Sequence, residues 1–182
     1  MHIPPQAIAT VALPATVKSL TEQANLIVHA RITSQWTPKQ RGAQGEIYTH
    51  SSLEVIEVWR GRADGPLVLV QLGGELDGTR LKVHGDAEFK VGDEVVLFLT
   101  STSQMVASPQ GRASKVHLIS LAQGAFFVER TAADQAVIKQ RLEDLTFYSA
   151  PERGQPVMIK ADQAQHPQQF KSLEALKAEV LK

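Results

Sequence analysis

The stretch FKVGDEVVLFLTS, residues 89–101, passes from a charged turn into Val95-Val96-Leu97-Phe98-Leu99 without a polar break. Side chains alternate between the two faces of a strand, so five apolar residues in a row leave no face for water. Such a strand must be covered on both sides. Leu67-Val68-Leu69-Val70 reads the same way.

Working outward, the neighbouring segments supply partners. In LIVHARITSQW (26–36), Leu26, Val28, Ala30 and Ile32 alternate with Ile27, His29, Arg31 and Thr33, which predicts a half-buried strand with its polar face outward. IYTHSSLEVIEVWRG (47–61) predicts a long strand whose apolar set changes parity, from Leu53 and Val55 to Ile56 and Val58. A bulge or a sharp coil of the kind that turns barrel corners accounts for that change. Between the two strands, TPKQRGAQGE (37–46) is polar and glycine-bearing and reads as a long, mobile hairpin loop.

Asp77-Gly78 fits a type I′ turn joining 67–75 to 80–84, because both central residues of that turn need positive φ. Gly92-Asp93 turns the chain into the opening stretch. Further strands are expected at 115–121 and 124–130, with SPQGRAS (108–114) as an exposed loop. About seven strands at short spacing, with no helices between them, predict a mainly β fold, an antiparallel barrel or sandwich. A barrel explains the opening stretch: one face of 95–99 fills the interior, and a helix or the chain ends cover the other.

Helices are expected only at the margins. Pro4, Pro5 and Pro14 keep the first residues extended. A helix follows from Ala15 or Thr16, with Val17, Leu20 and Ala24 on one stripe and Asn25 ending it. Leu173, Leu176, Val180 and Leu181 form the stripe of a short C-terminal helix after Ser172. Residues 132–148 are two-sided: AADQAVIKQRLEDL is rich in helix formers, and LTFYS favours strand. The polar, proline-bearing 149–171 reads as a surface loop. The chain therefore divides into an extended lead (1–14), a β-barrel domain (15–148), and a loop with a C-terminal helix packed on the barrel (149–182).

Composition narrows the functional classes. At 182 residues, folding removes roughly 70% of the unfolded surface from water, so one domain can build a proper core. Nineteen basic side chains balance nineteen acidic ones, and no basic run occurs. Nucleic-acid binding depends on neutralising phosphates, so this balance speaks against it. Aromatic residues at 5% leave few platforms for stacking single-stranded bases. The absence of cysteine excludes disulfides, thiol nucleophiles and cysteine zinc sites. No apolar run is long enough to span a bilayer. MHIPPQAIATVALPATV resembles the lead that follows a removed signal peptide, and the expectation is a secreted or periplasmic protein; if Met1 is the native start, the expectation is cytoplasmic.

Reaction motifs are missing. The six histidines, at 2, 29, 50, 84, 117 and 166, show no ligand spacing, although His29, His50, His84 and His117 fall in expected strands. No G-x-S-x-G occurs. The carboxylate pairs Glu54/Glu57 and Asp93/Glu94 read as solvated charge. Gly73-Gly74 precedes a hairpin, so it lacks the helix N-terminus that a phosphate cradle uses. No catalytic residue, metal ligand or cofactor is assigned. Trp36, at the end of one strand beside Arg41 of the loop, and Trp59, at the end of the next beside Arg60 and Arg62, are the candidate partner contacts, since tryptophan and arginine dominate binding hot spots. The alternative is that each indole plugs one end of the barrel.

ANLIVHARI, IYTHSSLEVIEVWRG, LGGELDG and VGDEVVLFL together resemble a group of uncharacterised exported bacterial proteins. In that group an apolar strand follows a short helix, and T…V…V.KG, a double glycine and GEEVVLFL come after it. Here Arg60 stands for the usual lysine and Asp93 for a glutamate. The likeness covers roughly 15–130. Its first piece is also similar to the opening of the inhibitory domain of tissue inhibitors of metalloproteinases, an OB-type barrel whose N-terminal cysteine chelates the protease zinc. This chain lacks that cysteine. The resemblance implies an OB-like barrel and export, and it favours strand for 124–148.

The expected function is accordingly a non-catalytic, exported binding domain with a protein partner, engaged through loop 37–46, the rim near Trp36 and Trp59, and the 108–114 loop. One alternative is an inhibitor that inserts an edge or N-terminal segment into a metalloprotease cleft. Another is a metal-dependent hydrolase with histidines gathered across strands.

Overall fold

The computed structural model describes residues 11–131, 135–143, 145–149, 157–160 and 168–182. In chain order the elements are β1 (Val11–Ala12), α1 (Val17–Gln23), β2 (Leu26–Trp36), β3 (Tyr48–Arg60), β4 (Leu67–Leu72), β5 (Gly74–Leu76), β6 (Thr79–Leu81), β7 (Glu94–Ser108) and β8 (Gly111–Leu118). A 3-10 turn (Leu121–Gly124) leads to β9 (Ala125–Arg130), β10 (Ala136–Lys139), β11 (Thr146–Ser149), β12 (Val157–Lys160), β13 (Gln169–Phe170) and α2 (Leu173–Val180). The fold is mainly β.

One large sheet runs β13-β10-β9-β7-β2-β3-β4-β8, and β7 also pairs with β8. Each of β7, β2, β3, β4 and β8 is thus hydrogen-bonded to two others of the same five. Their pairings are antiparallel except for β4 with β8, which is parallel. Strand β7 serves two neighbourhoods. Its residues 94–99 pair with β2, residues 95–97 also with β9, and from Leu99 onward it pairs with β8.

The unbroken apolar run is covered on both faces, as expected. Val95, Leu97 and Leu99 join Leu26, Val28, Ile32, Leu67, Leu69, Phe89 and Phe127 in the principal core. Val96 and Phe98 point the other way, into a layer made with Val17 and Leu20 of α1 and Leu176 and Val180 of α2. Both helices start on capped ends. Thr16 Oγ1 accepts from Ser19 N (3.1 Å) while Ser19 Oγ accepts from Thr16 N (2.9 Å), and Ser172 Oγ accepts from Ala175 N (3.1 Å). Asn25 follows α1 and ties it to β7 through Ser101.

The helix layer also corrects the reading of β2. Its second face is solvated only in part: Ile27 is 0% exposed and His29 is buried beside it, while Arg31 and Thr33 are exposed as expected. Alternation in the sequence reports polarity, and the helix layer reaches only Ile27 on this face, while Trp59 packs near His29. In β3 the parity change is a double bulge. Opposite β2 the partner jumps from Glu57 to Val55 and from Arg60 to Val58, leaving Ile56 and Trp59 as extra residues.

Asp77 and Gly78 have φ of 51° and 73°, as a type I′ turn requires. The turn closes the short β5–β6 hairpin, however, because β4 stops at Leu72 and Gly73 and Gly74, both at positive φ, break the strand. The exposed loop expected at 108–114 shrinks to a two-residue turn at Pro109-Gln110, with exposure continuing to Arg112: β7 runs to Ser108, β8 starts at Gly111, and Ala113 is fully buried. Polar composition misled there because the hairpin lies against other strands. Residues 136–139 are strand β10, pairing Ile138 with Val128 and with Phe170, so helix propensity yields to sheet pairing. The surface loop expected at 149–171 contains β12 and β13; residues 150–156 and 161–167 lie outside the described residues. So do residues 1–10 of the expected lead, whose Val11–Ala12 pair in parallel with β11.

Candidate functional site

The five residues expected at a partner site fall at opposite ends of the β2–β3 hairpin. Trp36 pairs with His50 at one end, and Arg60 with Ile27 at the other. His50 and Arg60 lie ten positions apart along β3, about 30 Å at strand rise. Trp36 and Arg41 therefore make no common surface with Trp59, Arg60 and Arg62.

At the first end, the Trp36 and His50 rings meet edge-on with centroids 5.4 Å apart. Trp36 and Tyr48 are half-buried against Val68, Val70 and Ala113, with Val106 of the β7–β8 hairpin beside them. Burial, and then the Lys115 ammonium, hold the His50 imidazole below its ordinary pKa, and the same two causes lower that of His117. His50 Nδ1 and Ser34 Oγ are buried without a hydrogen-bond partner among the described residues. Arg41 is exposed, its guanidinium donating to Gly45 O at 3.3 Å. Glu46 closes the loop, accepting from Gln44 N at 2.9 Å while its carbonyl accepts from Gly42 N.

The second end is built by the bulge at Trp59. The extra residue swings the indole under the helices, where it is 7% exposed. Its Nε1 donates to Glu57 Oε2 at 2.8 Å, and the same carboxylate receives Lys177 of α2. Those two hydrogen bonds, Lys177 first, hold the Glu57 carboxyl below the usual range. Trp59 and Arg60, with Lys18, Thr21 and Glu22 of α1 and the stretch Glu179–Lys182 at the end of α2, line a groove of about 570 Å³. Leu181, 61% exposed, stands at its edge. Arg60 is exposed, while Arg62 pairs with Asp64 at 2.9 Å with both side chains in water, a pair worth little.

Two further constellations escape sequence reading. Glu94, 13% exposed, lies 2.8 Å from His29 Nε2, 3.5 Å from Arg31 and 3.6 Å from Arg130. Burial pushes its pKa up, but the His29 hydrogen bond and the charges around it outweigh burial and lower it overall. Strand register brings these residues together, and no spacing in the sequence announces it. The second is a polar cleft under the β5–β6 hairpin, reached by Gln35, Gln71 and Asp86. Of the histidines expected in strands, His29, His50 and His117 are in β2, β3 and β8, and His84 lies in a turn. Among the described residues no three His, Cys, Asp or Glu side chains gather as a metal site. His2 and His166 are outside the described residues.

No family model, curated protein or solved structure matches this chain.

Proposed function

We propose that this chain is a non-catalytic binding module for a protein partner, and that the groove between α1, α2 and Trp59 is its contact surface. The observation that carries the reading is the groove itself: an indole fixed by Glu57 and Lys177 forms its floor, and Leu181 is left bare beside it. Tryptophan and arginine, which meet here as Trp59 and Arg60, are the residue types enriched in hot spots. Lys18 and Arg60 on the rim have no carboxylate partner among the described residues, whereas Lys182 pairs with Glu179. The fitting partner segment presents an apolar side chain followed by a carboxylate.

The scaffold we propose is a closed barrel of OB type. Its support is the pairing circuit β7-β2-β3-β4-β8, with the parallel β4–β8 contact joining the third and fifth strands of the five. Export belongs to the same proposal and rests on the likeness of 15–130 to exported proteins. Fractionating cells that make the native gene product reads it directly.

A photo-crosslinker placed at Leu181, in cells of the source organism, tests the groove. The expected product is a discrete protein adduct that is lost with Arg60→Glu and absent when the crosslinker stands at Met105, on the distant β7–β8 hairpin. Adducts that survive Arg60→Glu, or arise equally from Met105, overturn the assignment. Adding the purified protein to metalloproteases separates the inhibitor alternative: slowed turnover would make the partner a protease.

A further inference from the structure

The inner faces of β3 and β4 are apolar for most of their length and then change character. Leu53 and Leu67 pair in the core, followed by Ser51 with Leu69 and Thr49 with Gln71. The same face that excludes water in the middle therefore carries hydroxyl and amide groups at one end. Gln35 of β2 joins them there, and Phe89, stacked on Phe127, belongs to both the core and the cleft. The β5–β6 hairpin roofs the space through Arg80 and Leu81. A cleft of about 260 Å³ remains beneath it, close to the lower end for small-molecule sites.

We infer that this cleft binds a small, uncharged, hydroxyl-rich molecule the size of a single sugar ring. Its polar side chains are held in place by their own hydrogen bonds, which leaves defined atoms to meet a ligand. Gln71 Nε2 donates to Ala87 O at 2.9 Å, and Gln71 also hydrogen-bonds Asp86. Asp86 Oδ1 accepts from Ala87 N at 2.9 Å, and Gln35 Nε2 donates to Ser51 Oγ at 3.0 Å. Among the described residues, the amide oxygens of Gln35 and Gln71 receive no donor, and the Arg80 guanidinium has no carboxylate. Residues bearing acceptors and a donor thus line one space, and a hydroxyl group satisfies both because it donates and accepts.

Charge argues against an ionic ligand. Arg80 and Lys82 are matched by Asp86 and Glu88 around the cleft, and Lys82 and Glu88 already pair at 2.9 Å. An anion would meet Asp86 and a cation Arg80. Burial holds the Asp86 carboxyl above its ordinary pKa, and a hydroxyl donor would relieve that desolvation without adding charge. The backbone presses close at the wall: Gly74 has φ of 133°, and a Cβ there would sit 2.7 Å from Thr49 Oγ1.

Amide NMR spectra of the full chain, titrated with glucose, galactose and N-acetylglucosamine and separately with glycine and inorganic phosphate, test the inference. At least one sugar should produce saturable shifts at Gln71, Gly73, Gly74 and Asp86. Asp86→Asn, nearly the same shape, and Gln35→Leu should each weaken binding about tenfold, the worth of one or two hydrogen bonds. Leu181→Asp, in the groove beside Trp59, should leave the shifts unchanged, so failure here and failure of the protein-binding groove are separable. Non-saturating shifts with all three sugars, tighter binding of glycine or phosphate, or affinity unaltered in both cleft variants would overturn it.

Discussion

Phe98→Ala isolates the claim that the apolar run is covered on its second face. Phe98 is 0% exposed, its ring lies 5.7 Å from that of Phe126, and its cluster includes the apolar stripes of α1 and α2. Removing a buried phenylalanine costs about 3–5 kcal/mol, because lost transfer energy and the cavity add. A domain with about 5–15 kcal/mol of stability would keep a folded baseline for measurement in most of that range. Urea unfolding at constant slope should therefore show a large fall in midpoint, comparable to Leu97→Ala on the inner face at about 2–5 kcal/mol. A double-mutant cycle with Phe126→Leu should reveal coupling of about 0.5–1.5 kcal/mol from the ring pair. If Phe98→Ala costs less than about 1 kcal/mol while Leu97→Ala keeps its full cost, the helices do not seal that face and the two-layer account fails.

The remaining predictions concern charge and backbone. Glu94→Gln should cost about 2 kcal/mol at neutral pH, since it removes the negative partner of His29, Arg31 and Arg130. Glu94 titrates lower in the folded protein than in the unfolded chain, so its stabilisation is present above the unfolded carboxyl pKa and is lost as pH falls through the folded one. Melting curves from neutral pH into acid should accordingly converge for wild type and Glu94→Gln, and parallel curves would refute the linkage. Gly74→Ala should destabilise by about 1–3 kcal/mol, through positive φ and the crowding at Thr49, and more than Gly78→Ala, where a Cβ meets nothing within 4 Å. Equal losses in chemical denaturation would show that φ alone matters.

What could be read from the sequence was whatever depends on local periodicity. The run 95–99, the α1 stripe, the Asp77-Gly78 turn and the bulge in β3 all announce themselves within about a dozen residues. The failures share one cause: they depend on what lies across from a segment. His29 has the polarity of a surface residue and is buried because Trp59 and Glu94 pack against it. SPQGRAS has loop composition and is the end of a hairpin that packs on Val68 and Val70 through Val106 and Ala113. AVIK sits among helix formers and is strand because β9 and β13 offer it edges. For the site, residue types pointed to Trp36 and Trp59, and the hairpin reading already set them at opposite ends; the register makes that a strand's length. The cleft beneath β5–β6 assembles Gln35, Gln71 and Asp86 from distant segments, with nothing in their spacing to connect them.

The placement of the two candidate sites follows from how the middle is filled. Between Leu53 and Leu69 on one side and Val95 and Leu99 on the other, inward side chains of the principal core leave 0–7% of their surface to solvent. Close-packed interiors of this kind admit no ligand, so recognition is left to the places where the apolar set ends. At one end, polar residues take over the inner faces of β3 and β4 and leave the cleft. At the other, the bulge in β3 carries Trp59 out of the ladder and beneath the helices. Because the packed core separates these regions, changes at Arg60 or Leu181 and changes at Asp86 or Gln35 should have additive effects on stability.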